Sequence, residues 1–205
     1  MTPRPLPPRF YARPSELVAR GLLGQLLVTT VDDRRASGRI VETEAYTGPN
    51  DPASHAAERI GRTRRNASMY GSPGIAYVYR SYGAHWCLNA VTDEADHPAA
   101  VLIRAIEPID GLDVMRARRA AGARMKAVRT RVPDRLLGSG PGRLTQALGI
   151  DGGLDGHRLD RTPLLILEGE SPADAEVVVG PRIGISRAAD WPLRFHVRGS
   201  RFVSR

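Results

Sequence analysis

Residues 40–46 read Ile-Val-Glu-Thr-Glu-Ala-Tyr. Apolar and polar side chains alternate there with the period of two that marks a strand. Strict alternation places Ile40, Glu42, Glu44 and Tyr46 on one face, with Val41, Thr43 and Ala45 opposite. Working outward, the strand extends over 39–46. It pairs with residues 25–31 through a polar turn at 32–38. Downstream, 74–81, 86–91 and 99–106 read as strands, the first two forming a hairpin with Tyr82-Gly83 at its tip. The stretches 164–167, 177–185 and 193–197 complete a strand-rich C-terminal part. A short helix is expected from Ser15 as N-cap through Leu22 to Gly24. A second carries Ile109, Leu112 and Met115, and a third starts at Ser139-Gly-Pro141 with proline near its first position. Residues 48–65 read as an irregular loop. Strands cluster without β-α-β alternation, so the expected fold is α+β. It is a single domain over 15–205, with a mixed, largely antiparallel sheet, short surrounding helices and a protruding hairpin, preceded by a Pro-rich tail at 1–14.

Composition narrows the function classes. The chain has 205 residues and a net charge of +8. No run of about 18 apolar residues exists, so no membrane span is expected. The first residues hold no apolar signal-peptide core. Cys87 is the single cysteine, which excludes an internal disulfide or a cysteine-based zinc cluster. The five histidines show no metal-binding spacing. No metal or cofactor is expected, and the expected location is the cytoplasm, beside the nucleoid in a bacterium.

The charge is localised. Residues 116–143 hold nine basic side chains and one acid, Asp134, while the rest of the chain is balanced. Arg118, Arg119 and Arg124 lie in this stretch, and Arg59, Arg62, Arg64 and Arg65 form a smaller cluster. Such clustering suits a phosphate-backbone partner, or else a solvated arginine-rich loop.

Two constellations could carry chemistry. Glu42 and Glu44 share a predicted strand face, about 6.8 Å apart along the chain. That is near the spacing of an acid and a base in inverting glycosidases, although a solvent-facing strand edge would look the same. Tyr77, Tyr79 and Tyr82 offer aromatic faces of the kind on which bases stack, or ordinary cross-strand packing. These residues alone leave open a carbohydrate-active glycoside hydrolase using Glu42 and Glu44, and a noncatalytic nucleic-acid-binding protein using the tyrosines and arginines.

Several collinear motifs make the sequence resemble the alkyladenine (3-methyladenine) DNA glycosylase family of the mammalian type. They are Glu42-Thr-Glu-Ala-Tyr46, Gly48-Pro49, His55, Arg65-Asn66-x-x-Met69 and Tyr77-Val-Tyr79-x-x-Tyr82-Gly83. Further on come Cys87-x-Asn89, Arg104-Ala-Ile-Glu-Pro108, Gly138-Ser-Gly-Pro141 and Arg194-Phe-x-Val-Arg198-Gly-Ser200. The resemblance runs from about Leu17 to Val203. It departs from the pattern at His85-Trp86 and over 121–137. It implies a monofunctional, monomeric enzyme acting on double-stranded DNA. Glu44 would activate the attacking water, held with Arg104. Tyr46, His55 and Tyr79 would sandwich a flipped base, Asn89 would filter it, and Tyr82 would fill the vacated stack.

Overall fold

The structure, a computed structural model, describes residues 3–57, 59–121 and 132–204. Among these the chain runs α1 (Pro8–Tyr11), α2 (Ser15–Leu22), β1 (Leu26–Thr29), β2 (Ala36–Tyr46), β3 (Ala76–Ser81), β4 (His85–Thr92), β5 (Ala99–Asp110), α3 (Leu112–Ala121), α4 (Pro141–Leu148), β6 (Asp160–Arg161), β7 (Leu164–Leu167), β8 (Val177–Gly180) and β9 (Arg194–Val197). The sheet order is β3-β4-β5-β2-β1-β7-β6, and β9, paired with β2, joins β8 to it. Every described pairing is antiparallel. The expected α+β class with a hairpin and short helices is what the chain forms.

Strand β2 organises the sheet. One edge lies along β5. The other edge is divided: β1 pairs with 36–39 and β9 with 42–44. The division coincides with a bulge. Ile40 faces Ile106 and Glu42 faces Ala105, so Val41 is an extra residue; Thr43 then faces Ile103, which makes Arg104 the extra residue on β5. A bulge reverses the in-out alternation and increases local twist. This corrects the sequence expectation. Ile40 joins Ala45 in the main core, while Val41 packs with Ala105 and Phe202. Glu42, Glu44 and Tyr46 keep their common side without Ile40.

Helix α2 covers the core side of β2. Its Val18, Ala19 and Leu22 are fully buried, and burial of a side chain such as Val or Leu stabilises by about 1.5–3 kcal/mol. Thr43 donates its hydroxyl to the Ala19 carbonyl at 2.8 Å, fixing the helix over the strand. Pro14, not Ser15, holds the N-cap position of α2, and the Ser15 hydroxyl bonds Glu16 instead. In α4 Pro141 stands in the first turn, as its fixed φ favours, and Gly149 ends the helix at φ 72°. Ile109 lies at the exposed end of β5, so helix α3 begins later than the apolar spacing predicts.

Two other segments differ from expectation. Residues 3–14 are not a free tail. The Leu6 amide bonds the Ile166 carbonyl at 2.9 Å, and Leu6 and Tyr11 are buried in the main core. Their apolar surface anchors the segment despite its prolines. The predicted strand over 177–185 stops at Gly180, and 181–193 is irregular. That irregular segment reaches the site described next.

Candidate active site

The divided edge of β2 sets two carboxylates deep in the protein. Glu42 and Glu44 are both 0 % exposed. Arg104, displaced by its bulge, sits beside both: its Nε donates to Glu42 at 3.2 Å, and its Nη1 lies 3.2 Å from Glu44. Glu44 has two more partners. The Ile183 amide donates to Oε1 at 2.7 Å and the Tyr46 hydroxyl to Oε2 at 3.1 Å. Burial pushes the Glu44 carboxyl above its usual range; Arg104, the Ile183 amide and the Tyr46 hydroxyl pull the other way, and Glu42 adds to the rise. Burial also raises the Tyr46 phenol, which stays protonated and able to donate.

In front of Glu44 lies a cleft of about 580 Å³. Tyr46, Arg104 and Ile183, the three groups touching the Glu44 carboxylate, are all in its wall. His55, Tyr79, Asn89 and Tyr82 line it as well. Residues far apart in sequence thus converge: Tyr46 from β2, His55 from an irregular loop, Tyr79 from β3, Asn89 from β4 and Arg104 from β5. His55 meets Tyr79 edge to face at 4.4 Å between centroids, and its Nδ1 is 2.9 Å from the Tyr77 hydroxyl. Burial, reinforced by Arg65, lowers the His55 pKa to about 4, so the imidazole is neutral near pH 7. Asn89 donates its amide to the Tyr77 carbonyl at 3.0 Å, which fixes its orientation.

Tyr82 stands at the tip of the β3–β4 hairpin and is 92 % exposed. Ala84 bonds back to the Ser81 carbonyl at 2.9 Å. The two central residues, Tyr82 and Gly83, have φ of 48° and 65°. This handedness matches the twist of the flanking strands, but it is uncommon for a tyrosine. Beside the hairpin turn a Cβ on Gly142 would come within 2.7 Å of His85, so only glycine lets helix α4 approach there.

The arginines divide. Arg59 and Arg65 line the cleft. Arg118 is committed to the fold: it donates to the carbonyls of Leu148 at 3.0 Å and Val31 at 2.6 Å. Arg119 bonds Gln146, and with Arg143 it lines a second depression of about 470 Å³ that shares His85, Arg104 and Pro141 with the first. Arg124 lies outside the described residues. Among those described, no cluster of side chains suits a metal ion, and no helix is long and apolar enough to cross a membrane.

A family profile described as Methylpurine-DNA glycosylase (MPG) matches residues 9–201. The chain belongs to that family. It is 48 % identical over 196 residues to a protein of Rhodopseudomonas palustris (strain BisB18), covering 96 % of this chain and 88 % of the relative. A protein of Methanoculleus marisnigri is 46 % identical, with 98 % of each chain covered. Both bear the provisional name 3-methyladenine DNA glycosylase. The DNA-3-methyladenine glycosylase of Mus musculus is 45 % identical over 97 % of this chain and 61 % of the mouse protein. As a member of the methylpurine-DNA glycosylase family, the chain is a DNA glycosylase, a hydrolase of N-glycosyl bonds with DNA as partner. That membership displaces the carbohydrate-hydrolase and noncatalytic readings. Glu42 stands differently from Glu44: of its partners Arg104, Arg194 and the Ser204 amide only Arg104 lines the cleft, whereas all three partners of Glu44 do.

Sequence reasoning found His55 but missed two other groups that arrive from irregular backbone. The Ile183 amide is one. Another is the buried pair of Arg182 and Asp51, with the Arg182 guanidinium 4.7 Å from the centroid of the Tyr46 ring. Gly184 adopts φ 77° beside Ile183, a turn of the backbone that no side-chain pattern marks in the sequence.

Proposed function

We propose that this methylpurine-DNA glycosylase takes an alkylated purine such as 3-methyladenine, and also hypoxanthine, flipped out of duplex DNA into the cleft. It then hydrolyses the glycosidic bond with water activated by Glu44. The observation that carries the proposal is the Glu44 carboxylate, buried directly behind the cleft wall with an arginine, a phenol and a backbone amide on it.

The chemistry follows from the parts. A stacked base hides its glycosidic bond, so the nucleotide must leave the duplex. Tyr82, exposed at the hairpin tip, fills the gap as a wedge. Tyr46, His55 and Tyr79 bound a slot for the flipped base. An alkylated purine is cationic, and a desolvated aromatic face favours such a cation by about 0.5–2 kcal/mol. The neutral state of His55 suits the same ligand, since an imidazolium would repel it. Asn89, held by the Tyr77 carbonyl, screens the base edge. An alkylated purine departs as a neutral base, whereas hypoxanthine, neutral in DNA, must take up a proton to depart likewise. Glu44, ionised while the bond breaks, stabilises the electron-poor sugar and then accepts a proton from the attacking water. Burial makes Glu44 more basic than an ordinary carboxylate, which favours that proton transfer. The product is an abasic site with the strand intact. Strand cleavage would call for an amine nucleophile, and the sequence has a single lysine, Lys126, in the Arg-rich stretch outside the family motifs and outside the described residues, besides the N-terminal amine.

The test is base release from duplex DNA carrying methylated purines or hypoxanthine, by the wild type and by Glu44→Gln. The expected result is release by the wild type, loss of release with near-normal DNA binding in the variant, and no borohydride-trapped adduct. Near-normal turnover by Glu44→Gln would remove Glu44 from the mechanism.

A further inference from the structure

Glu42 has no part in the reaction just described, yet it is as deeply buried as Glu44 and more heavily bonded. Its Oε1 accepts from Nε of Arg104 at 3.2 Å and from Nε of Arg194 at 2.6 Å, and its Oε2 accepts the Ser204 amide at 2.7 Å. Arg104 in turn donates from Nη2 to the Ser204 hydroxyl at 3.2 Å and presents Nη1 to Glu44. One guanidinium therefore serves two buried carboxylates. Glu42 holds it at Nε, near its stem, and Glu44 meets it at the tip.

A carboxylate alone with an arginine loses basicity, its pKa falling by about 1–3 units. A base that must accept a proton from water is poorly served by such an exclusive pair. A second carboxylate on the same guanidinium works in the opposite sense, by dividing the positive charge and by repelling the first. We propose that Glu42 is a positioning residue: it anchors Arg104 from behind and takes up part of its charge, so that Glu44 remains a base and not the sole partner of an ion pair. The proposal rests on the reading of Glu44 as the base.

The surroundings support this division of charge. Facing Glu44 are Glu42 and Tyr46 of β2, Arg104 of β5 and Cys87 of β4; Arg194 of β9 faces Glu42, and Arg182 lies against Tyr46, itself paired with Asp51. Burial raises both the Tyr46 phenol and the Cys87 thiol, so both are uncharged near neutral pH. The charge felt by Glu44 is then set by Glu42, Arg104 and Arg194. Oε1 of Glu42 is shared between Arg104 and Arg194, and the two carboxylates and two guanidiniums together sum to zero.

The test compares the wild type, Glu42→Gln and Arg194→Gln. Two quantities are followed against pH: single-turnover base release, and the Glu44 side-chain carboxyl resonance of the free, carbon-13-labelled protein. In Glu42→Gln the acid limb of the rate profile and the Glu44 titration both move down, by on the order of one pH unit. In Arg194→Gln both move up, because Glu42 then draws on Arg104 alone. A purely structural Glu42 predicts lower melting temperature and a rate reduced equally at every pH; an unmoved or upward-moving titration in Glu42→Gln would overturn the proposal. If Glu42→Gln does not fold, Arg194→Gln decides, an upward shift supporting the proposal and an unmoved titration sinking it. The resonance titration needs no turnover. A wild type that releases no base would count against the Glu44 reaction and leave the resonance shifts to judge Glu42.

Discussion

Arg182 and Asp51 form an ion pair in which both side chains are wholly excluded from solvent. Nη2 of Arg182 donates to Oδ1 of Asp51 at 2.8 Å, and Nη1 also reaches the Ala45 carbonyl at 3.0 Å. The two residues belong to the two irregular segments that wall the cleft, and Ala45 lies between Glu44 and Tyr46. One guanidinium thus binds three pieces of backbone that share no regular pairing.

Asp51→Ala leaves that guanidinium buried and uncompensated. Breaking a buried pair by removing one partner costs about 3–5 kcal/mol, and urea unfolding should register a loss of that size. The base-binding step should weaken as well, since His55 and Ile183 sit on the released segments. A loss below about 1 kcal/mol, within the range of surface pairs, would mean that the segments are held by other interactions.

Glu44 makes stability depend on pH in a definite direction. Its folded pKa is raised above the unfolded value. The favourable contribution is therefore fully present below about pH 4.3, the unfolded carboxyl value, and is lost as pH rises through the folded pKa. A glutamine does not titrate. The melting temperature of Glu44→Gln minus that of the wild type should grow as pH rises from about 4.3 through that window, leaving the variant relatively more stable near neutrality. A difference independent of pH would show that the carboxyl is not held above its ordinary range.

Arg118 and Arg119 are neighbours in sequence with separate expected effects. Arg118→Ala removes donors from the carbonyls of Leu148 and Val31, so it should lower thermal stability and leave the salt dependence of DNA binding unchanged. Neutralising Arg119 and Arg143 together should instead flatten the log–log salt slope, by about 0.9 for each phosphate that is no longer neutralised. An unaltered slope in the double variant would place both away from DNA.

Tyr82→Ala should separate recognition in a duplex from the chemistry. The ring is 92 % exposed, so its removal should leave the melting temperature nearly unchanged. Stacking of an aromatic ring on a base is worth about 1–3 kcal/mol, which corresponds to roughly a 5- to 150-fold slower excision. The loss should be larger for a lesion in a stable, G·C-flanked duplex than in a weak pair. Equal losses on both duplexes with a lowered melting temperature would make Tyr82 a packing residue.

Much of this arrangement was legible in the sequence because it depends on regular backbone. The alternation at 40–46 located the strand that carries both glutamates, and the turn at Tyr82-Gly83 located the hairpin tip. Where alternation failed, at Val41, the cause was a bulge, which shows only in the register of β2 against β5 and not in the alternation of residues 40–46. The burial of Leu6 and Tyr11 was hidden by the prolines around them, which speak for extended backbone and not for what that backbone packs against. The commitment of Arg118 to two carbonyls was invisible for a related reason. A run of arginines states how much charge is present, and only the tertiary fold decides which guanidinium turns inward. Ile183 shows the same limit, since a backbone amide has no signature in the side chain that bears it.

The divided edge of β2 also fixes when during synthesis this enzyme can become active. Glu42 is bonded by Arg194 and Ser204, which follow it by 152 and 162 residues. At elongation rates of about 5–20 residues per second, Arg194 is added about 8–30 s after Glu42. Until then the edge opposite β5 is vacant along 42–44, and the two carboxylates share Arg104 without the other two partners. Contacts of such long sequence separation form late in folding. The cleft wall is completed almost as late, because Ile183 lines it and Arg182 ties its segment to Asp51; a chain still short of these residues lacks both the walled cleft and the settled carboxylates, so the two arise together and not in stages.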